Sequence, residues 1–483
     1  MKQGIRDRST MWISWYRPWL TYVILLLPLL GGCALLQPTD PLVPVAHDTE
    51  RFTQVDPAYA AAAAAEVAID QPLRLQDCIA LALAHNPSIR QGYWHTEEAS
   101  AQRDRAASQR WPEMTIEGGY REFLDDQRLV GVRAPGEPGV WSSSQYSADV
   151  VVSIPLFMGG RIINNMRASE LRTRAAEHQL ARTREELVFN VSSLFYAILG
   201  QRQVIESLVF AQTTLQEHRQ RVQALLDAGK AARVDLLRTE VRLADLEQKL
   251  VEQRNVRTIQ RQTLLNLLGV ESTPDSLPEV EGELSLQPFD LPADSLALAQ
   301  TQRSDYQAAQ AECAAQAHAV DAMRGEHAPV LALAGSYGRR WAGGNTLTQE
   351  GARNDEDVGS IGLTLSIPLF EGGRIRADVR GAQARLAAAQ ERLRELELRI
   401  RLDVQNAIAN LQSSRARIRA TEVSIAQARE SLRIEREKHA IGQGSITDVL
   451  DAQTALLEAE TSHAQTLAAY NQAVVQYRLA VGE

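Results

Sequence analysis

The sequence predicts a mainly α fold with paired β-strands, built from two structural repeats. Three features predict it: a decapeptide that occurs twice, a strand-like alternation of apolar and polar residues before each copy, and a very long helical pattern after each copy. At ~1.5 Å per residue, about 65 helical residues span roughly 100 Å, which no ordinary globular domain accommodates. The composition agrees, because an aromatic content of only 5% is typical of long helices rather than of a compact enzyme core.

The duplicated decapeptide lies at residues 153–162 and 366–375, where an alternating segment meets a proline and a Gly-Gly pair. The chain changes there from a period of two residues to a helical period. We expect both copies to turn the chain from strand into helix at a membrane boundary. The residues of these strand–helix junctions are Pro155, Gly159, Gly160, Pro368, Gly372 and Gly373.

The first 32 residues predict a bacterial lipoprotein signal peptide. Three arginines precede an apolar run at residues 20–30, which is too short for a comfortable transmembrane helix and ends in a small-residue cleavage site. The sequence Leu-Gly-Gly-Cys at this site resembles the lipobox, which implies cleavage before Cys33 and attachment of lipid, such as palmitate. Ala34 stands where an aspartate would favour retention at the inner membrane, so the resemblance implies the outer membrane. The alternative is an ordinary export signal with a chance cysteine.

Residues 33–71 contain several prolines and an alanine run, and they predict a tether from the lipid to the folded body. The first repeat is predicted at residues 72–270. It opens with a helical pattern that Trp111-Pro112 stops. Its other predicted elements are a β-hairpin at 114–155, a long helix at 162–228 and a helix at 234–268.

The second repeat is predicted at residues 293–483, after a proline- and acid-rich linker or equatorial side belt at 271–292. Its elements are a helix, a β-hairpin at 330–368, a long helix at 375–440 and a helix at 446–480. The two decapeptides lie 213 residues apart, and so do Gly229 and Gly442, which end the long helices. Apolar positions in the second long helix step alternately by four and three residues, which predicts a left-handed coiled coil.

The return strand of the second hairpin has one greasy face and one small, polar face. Ile361, Leu363 and Leu365 alternate with Gly362 and Thr364. A transmembrane barrel strand needs this pattern, with lipid outside and water inside, but a half-buried strand of a soluble sheet also shows it. Four strands cannot close a barrel, and lipid does not tolerate open edges. If the strands are embedded in a membrane, the chain must therefore oligomerise, and three copies would give twelve strands.

Several classes of function find no support in the residue pattern. The net charge of −9 and the interleaving of Arg with Glu along the helices indicate salt-bridged, solvated faces rather than a nucleic-acid surface. The nine histidines form no H-E-x-x-H motif, no cysteine pair has metal-site spacing, and the Gly-Gly pairs lack the rest of a phosphate loop. We therefore expect no enzyme, cofactor or metal. Cys78 and Cys313 do not occupy equivalent repeat positions, and their pairing state stays open.

Four features together resemble the TolC-like outer-membrane efflux channel family. They are the lipobox, the internal duplication, the doubled Ser-Ile-Pro-Leu-Phe-x-Gly-Gly-Arg and the Gly-x-x-Ser-x-x-Asp-Val-Leu segment that starts at Gly442. The resemblance implies a homotrimer, in which a 12-stranded β-barrel in outer-membrane lipid stands on a long periplasmic α-helical barrel. It also implies docking to a periplasmic adaptor (membrane fusion) protein and an inner-membrane transporter. The lipid at Cys33 matches the acylated branch, the outer-membrane factor lipoproteins of Gram-negative bacteria.

The turns that follow the two long helices are the candidate docking tips, at residues 228–237 and 441–450. Gly229 and Gly442 suit a left-handed position after a helix, and Ser445 with Asp448 forms a helix-start signal. These conformational roles do not explain why two apolar residues, Val449 and Leu450, stand at a tip, where we expect them to be exposed. The resemblance implies that the tips close the tube and meet the adaptor. The candidate docking residues are Gly229, Val234, Asp235, Leu236, Gly442, Ser445, Asp448, Val449 and Leu450.

A gate in such a tube is expected among charged residues of the inner helices near the tips. By position alone, the candidates are Glu430, Arg433 and Glu437, although a solvated outer face also accounts for them. The leading hypothesis is a passive trimeric exit duct of a tripartite efflux or type I secretion system. The alternative is a lipid-anchored periplasmic coiled-coil scaffold or adaptor, and a periplasmic enzyme is a distant third.

Overall fold

The computed structural model describes residues 72–229, 231–270, 279–286 and 288–483. The predicted signal peptide, the lipidated Cys33 and the tether at residues 33–71 lie outside the described residues. Within the described ranges the chain forms eight α-helices and one four-stranded sheet, so the predicted mainly α, two-repeat fold is confirmed.

The two repeats have the same order of elements. The first comprises α1 (Leu75–His85), α2 (Pro87–Ser108), β1 (Glu113–Arg128), β2 (Val140–Met158), α3 (Arg161–Asp227) and α4 (Arg233–Leu268). The second comprises α5 (Ser295–Gln302), α6 (Ser304–Arg324), β3 (Val330–Thr348), β4 (Asp355–Ser366), α7 (Arg374–Ala440) and α8 (Ile446–Val481). A short 3₁₀ turn (Gly325–His327) follows α6. Helices α3 and α7 each contain 67 residues and are therefore roughly 100 Å long.

The predicted single helix before each hairpin is wrong, because the structure has two helices there. The first helix ends at His85, and Asn86 adopts an extended conformation with φ −65° and ψ 127°. Pro87 lacks a backbone N–H and favours an extended residue before it, so the helix cannot run through this point. The Asn86 side chain then caps α2 by accepting a hydrogen bond from the Ser88 backbone N–H at 2.8 Å. The equivalent break in the second repeat lies at Arg303.

The end of the last helix in each repeat packs against the break between the first two helices of that repeat. The Asn86 amide donates to the Leu267 carbonyl at 2.8 Å, and the Arg303 guanidinium donates to the Ala480 carbonyl at 3.4 Å. The residue after each last helix is a glycine with positive φ, and a Cβ at Gly482 would lie 2.8 Å from the Arg303 backbone nitrogen. Glycine is therefore required by its conformation and by the close approach of two backbones.

The four strands form one antiparallel sheet in the order β1-β2-β3-β4, so the pairing of β2 with β3 joins the two repeats. The strands occupy most of the predicted hairpins at 114–155 and 330–368, and the connecting loops are residues 129–139 and 349–354. Strand β2 continues past Pro155 to Met158 because β3 pairs with it there, whereas β4 stops at Ser366. The outer edges of β1 and β4 have no partner strand within the described part of the chain.

One face of this sheet is exposed and apolar over the part nearest α7, and it carries the Arg339–Asp357 ion pair beside its aromatic residues. Ile116 on β1 is 82% exposed and Ile361 on β4 is 79% exposed, and both lie on the face that carries the large apolar side chains. A row of aromatic rings crosses three strands on the same face. The ring centroids of Tyr120 and Tyr146 are 5.0 Å apart, and those of Tyr146 and Trp341 are 5.8 Å apart. An apolar band next to an aromatic row is the pattern of barrel strands at a lipid–water interface.

The helices pack along their lengths, α7 against α8, α8 against α3, and α3 against α4. Residues of the predicted linker at 271–292 also pack against them where they are described. Leu73 pairs in parallel with Val280, and the Arg202 side chain donates to the Val280 and Gly282 carbonyls at 3.1 and 2.6 Å. This segment is therefore a docked belt rather than an extended connection. None of the described helices combines the length and the apolar character that a bilayer crossing requires.

Candidate docking tips and strand–helix junctions

The second tip is a tightly bonded turn between α7 and α8. Gly442 has φ 76° and Gly229, at the first tip, has φ 69°, so both occupy the left-handed region that glycine adopts freely. At the start of α8, the Thr447 backbone N–H donates to the Ser445 hydroxyl at 3.1 Å, and the Ser445 N–H donates to the Asp448 carboxylate at 3.2 Å. The serine and aspartate therefore fix the helix start, as a capping box does.

The expectation that Val449 and Leu450 are exposed at this tip is wrong. They are 5% and 6% exposed, and they belong to a core cluster that unites the ends of four helices. The other members include Leu215 of α3, Leu246 of α4 and Leu432 of α7. Ile446, Val449 and Leu450 follow the i, i+3, i+4 spacing of a helix face that packs on a core, which is the signal that could have shown their burial.

Exposed apolar side chains are grouped instead on the first tip, while Ile441 is exposed singly on the second tip. Val234 and Leu237 are each 49% exposed and Val241 is 62% exposed, and their spacing places them on one face of α4. Leu237 and Val241 were not among the residues singled out from the sequence, whereas Asp235 and Leu236 are half-buried. We name Val234, Leu237 and Val241 the first-tip stripe. The stripe lines a cavity of about 390 Å³ between α4 and α8.

Two polar contacts connect the tips beside this cavity. The Arg238 guanidinium donates to the Thr447 hydroxyl at 2.9 Å, and Arg242 lies 3.6 Å from the Asp451 carboxylate. Most of the side chains involved are exposed, and exposed ion pairs contribute little stability individually. The contacts therefore orient α4 relative to α8, while the apolar cluster beneath them supplies most of the packing.

The three gate candidates form an ion triplet on a single helix. Arg433 donates to Glu430 at 2.6 Å and to Glu437 at 2.6 Å, one turn before and one turn after it on α7. All three side chains are more than half exposed. The hydrogen bonds from Arg433 lower the pKa of Glu430 below its usual range. Such i, i+3 and i, i+4 pairs stabilise an exposed helix face, so their geometry needs no partner from another segment.

The two strand–helix junctions have the same backbone but different surroundings. Both glycine pairs have positive φ, 61° and 78° at Gly159 and Gly160, and 61° and 87° at Gly372 and Gly373. A Cβ at Gly159 would lie 2.3 Å from the Gly325 carbonyl oxygen, whereas a Cβ at Gly372 would meet nothing within 4 Å. The first junction is thus packed against the end of α6, and the second has open space around it as far as the described residues show.

A buried ion cluster holds the middle of the second repeat. The Arg303 side chain is 2% exposed and lies 2.6 Å from the Asp305 carboxylate and 3.1 Å from the Asp403 carboxylate. Arg182 of α3 reaches the same site, 3.9 Å from Asp305. Burial alone would raise the pKa of Asp305, but the hydrogen bond and charge of Arg303, together with Arg182, hold it below its usual range. The cluster joins α3, α6, α7 and the end of α8.

Within the ranges that the structure covers, no three His, Cys, Asp or Glu side chains are grouped as a metal ion would require. Cys78 is buried, Cys313 is partly buried, and neither forms a disulfide among the described residues. Burial raises the pKa of the Cys78 thiol to about 12, so this thiol is protonated and unreactive at neutral pH.

Comparison with known proteins relates the whole architecture to outer-membrane proteins. A family model described as "outer membrane efflux protein" matches residues 78–270 and 296–483. Outer membrane protein OprJ of Pseudomonas aeruginosa is 28% identical over 320 residues, which cover 65% of this chain and 64% of OprJ. Outer membrane protein TolC of Vibrio cholerae is 22% identical over 373 residues, 77% of this chain and 82% of TolC. The match to OprJ thus spans a little less than two thirds of that protein's length.

Solved structures share the fold. The structure of CusC superposes with a TM-score of 0.72 at 20% identity, covering 84% of this chain and 92% of CusC. The outer membrane protein VceC of Vibrio cholerae superposes with a TM-score of 0.70 at 18% identity, covering 84% of this chain and 96% of VceC. Because the family model spans both repeats and most of the described residues, the chain belongs to the outer membrane efflux protein family.

Proposed function

We propose that this protein is a passive, trimeric exit duct of the outer membrane, in which a β-barrel opens into a tube of long helices. The observation that carries the proposal is the sheet. It presents an exposed apolar face with an aromatic row, and its edge strands β1 and β4 have no partner among the described residues. Lipid tolerates neither open edges nor unpaired backbone groups, so these edges need partners from other copies.

The repeats themselves indicate which surfaces meet between copies. Helix α6 packs against both α7 and α3, whereas its counterpart α2 packs against α3 and has no extensive contact with α7. Helix α8 likewise packs against α7 and α3, whereas its counterpart α4 lacks an extensive contact with α7. If a second copy packed its α2 and α4 against α7 of the first, α2 and α4 would have the same contacts as their counterparts α6 and α8. The two junctions agree with this arrangement. Within the chain, Gly159 packs against Gly325. The equivalent contact for Gly372 would be with Ser108 of the second copy, because Ser108 is the counterpart of Gly325.

Three copies are the smallest number that leaves a passage. Two copies would contribute eight strands, and side chains fill the interior of an eight-stranded barrel or leave space for one small ligand. Three copies contribute twelve strands and a wider lumen. The helices would continue this lumen away from the membrane for roughly 100 Å.

The duct performs no catalysis and works with other components. A relative of this chain is named "outer membrane efflux protein BepC", and another is named "proteases secretion protein PrtF". We therefore propose that the duct serves efflux or type I secretion, and that a periplasmic adaptor and an inner-membrane transporter dock at the tips and provide the driving energy. Anchoring by a lipid at Cys33 and gating by Glu430, Arg433 and Glu437 belong to this proposal.

The alternative function, a periplasmic coiled-coil scaffold, does not account for the sheet. A water-soluble scaffold would bury its apolar strand face against another layer. Here Ile116, Ile361 and Leu363 remain exposed after the chain has folded. Large exposed apolar surfaces mark membrane or protein contacts.

Purified protein reconstituted into planar lipid bilayers tests the duct. We expect discrete ion conductance, since a water-filled lumen passes ions without an energy source. The Cys33→Ala variant is expected to lose incorporation of labelled palmitate and to keep the conductance, because the anchor lies outside the passage. Protein that inserts into the bilayer without conducting would contradict the duct, and palmitate incorporation into the variant would contradict the anchor.

A further inference from the structure

Two histidines face each other close to the tips. The rings of His218 on α3 and His439 on α7 have centroids 6.5 Å apart. His218 lies nine residues, or about 14 Å, before the end of α3, and His439 lies in the last turn of α7. The Nδ1 atom of His439 is 3.2 Å from the Gly444 carbonyl oxygen, so this ring also holds the turn of the second tip.

The surroundings of His218 suit a neutral imidazole and oppose an imidazolium. Its Nε2 atom is buried and has no hydrogen-bond partner among the described residues. The charged or titratable groups that act on it are Arg221 of its own helix, and His439 and Arg436 of α7. All of them carry, or can gain, a positive charge, so a proton added at Nε2 of His218 would find neither an acceptor nor a counter-charge.

Several carboxylates near the tips are already engaged, and none of the charged groups that act on His218 is a carboxylate. On α7, Glu435 binds Lys438 and Glu437 binds Arg433. On α8, Asp448 accepts the Ser445 N–H and Asp451 pairs with Arg242 of α4. The parts of α4 and α8 that pack into the tip cluster are apolar, including Leu243, Leu246, Ile446 and Val449. A second proton at the histidine pair would therefore place two cations in a poorly solvated contact between α3 and α7.

We propose that the His218–His439 pair is an acid-sensitive lock on the tips. The ends of α3 and α7 both pack against α8, and neutral imidazoles allow them to stay together at the His218–His439 contact as well. Protonation drives them apart at this contact in mildly acidic medium. The lock is a property of one chain. Its consequence, that acid opens the end of the passage, rests on the proposed duct function.

The direction of the pH dependence follows from the pair's surroundings. Burial, followed by the charges of His439, Arg221 and Arg436, lowers the pKa of His218 below its usual value of about 6.5. A group whose pKa is lower in the packed state than in the open state stabilises packing fully above about pH 6.5. That contribution is lost as the pH falls through the lowered pKa.

Hydrogen–deuterium exchange of the full-length protein in lipid nanodiscs tests the lock. Peptides covering residues 213–227 and 432–446 are followed between pH 7.5 and 5.0, with correction for the intrinsic pH dependence of exchange. We expect protection in both peptides to fall by about fivefold or more on acidification. The His218→Gln variant, which is neutral at this buried position throughout, is expected to lose this response. The His439→Gln variant is expected only to weaken it, because His218 can still gain a charge beside Arg221 and Arg436.

A matched control is His463→Gln, because His463 bonds to the Thr421 hydroxyl on the α7–α8 pair outside the tip cluster. This variant is expected to respond like the wild type. Equal protection at both pH values in the wild type, or an unchanged response in His218→Gln, would overturn the lock. Conductance recorded on the same samples separates the two proposals. An intact exchange response without conductance at any pH would support the lock and contradict the duct.

Discussion

Replacing Val234 and Leu237 by aspartate is expected to abolish export while leaving assembly and membrane insertion unchanged. Both side chains are half exposed on the first-tip stripe and line the cavity between α4 and α8. Central apolar residues of an interface typically contribute about 2 kcal/mol or more, so introducing charge there is expected to weaken adaptor binding by about thirtyfold or more. Export of a substrate of the partner transporter, measured in cells, and the oligomeric state of the extracted protein are the two readouts.

The matched control for this variant is Ile259→Asp. Ile259 is 52% exposed on the same helix, 25 residues from Val234 and therefore roughly 37 Å away. Export should persist in the control wherever assembly persists. Normal export by the double variant, at normal protein level, would remove the first-tip stripe from the docking surface. The Val449→Asp variant behaves differently, since it places a charge in the tip core and is expected to lower the stability of the tip itself.

Replacing Arg303 by alanine is expected to destabilise the fold by about 3–5 kcal/mol, because it takes away the closest counter-charge of the largely buried Asp305 carboxylate. Asp305 and Asp403 would lose their partner, and the Ala480 carbonyl would lose a donor where the last helix docks. Thermal or denaturant unfolding of the detergent-solubilised protein measures the change, and reduced protein level in membranes is expected to accompany it.

Arg324→Ala is the control for the buried cluster. Arg324 pairs with Asp321 on the same helix at 3.0 Å, and both side chains are about half exposed. Exposed pairs of this kind contribute less than about 1 kcal/mol. A similar loss of stability in the two variants would mean that the Arg303 cluster does not hold the repeat together.

The sequence was sufficient for features that depend on local residue patterns. Gly159-Gly160 and Gly372-Gly373 mark the junctions because their backbone requires positive φ, a requirement that can be read from the residue type. The two long helices followed from uninterrupted helical periodicity. Pro87 also carried a local signal for the break in the first helix, and the expectation of one helix overlooked it.

Other features depend on contacts that lie far away in the chain. Nothing beside Arg303 indicates a helix break, because the break depends on Gly482 and Ala480 at the end of the last helix. Val449 and Val234 are both valines near the tips, but only Val449 is buried. Residues of α4 and α7 belong to the same core cluster as Val449, whereas Val234 lies outside this cluster. Apolar spacing along a helix identifies a packing face but does not tell whether the same chain or another molecule covers it.

The repeats also predict how two copies pair at the sheet edges. Within the chain, Ile154 of β2 faces Leu333 of β3. Their counterparts in the other repeats are Ile367, next to the end of β4, and Ile116 on β1, and both are exposed. If the copies follow the same register, Ile367 of one copy faces Ile116 of the next. The backbone edges of β1 and β4 are then paired only in the closed ring.

Disulfide trapping between these two positions tests the central claim most directly. The Ile116→Cys/Ile367→Cys variant is oxidised in membranes and separated by non-reducing electrophoresis, with each single cysteine variant as a control for the native thiols. A control pairs Ile116→Cys with Leu363→Cys, four residues or ~13 Å out of register. We predict cross-linked dimers and trimers for the first pair only, with no larger species because three copies close the ring. Monomers alone, or a ladder that continues beyond three, would contradict the trimeric duct.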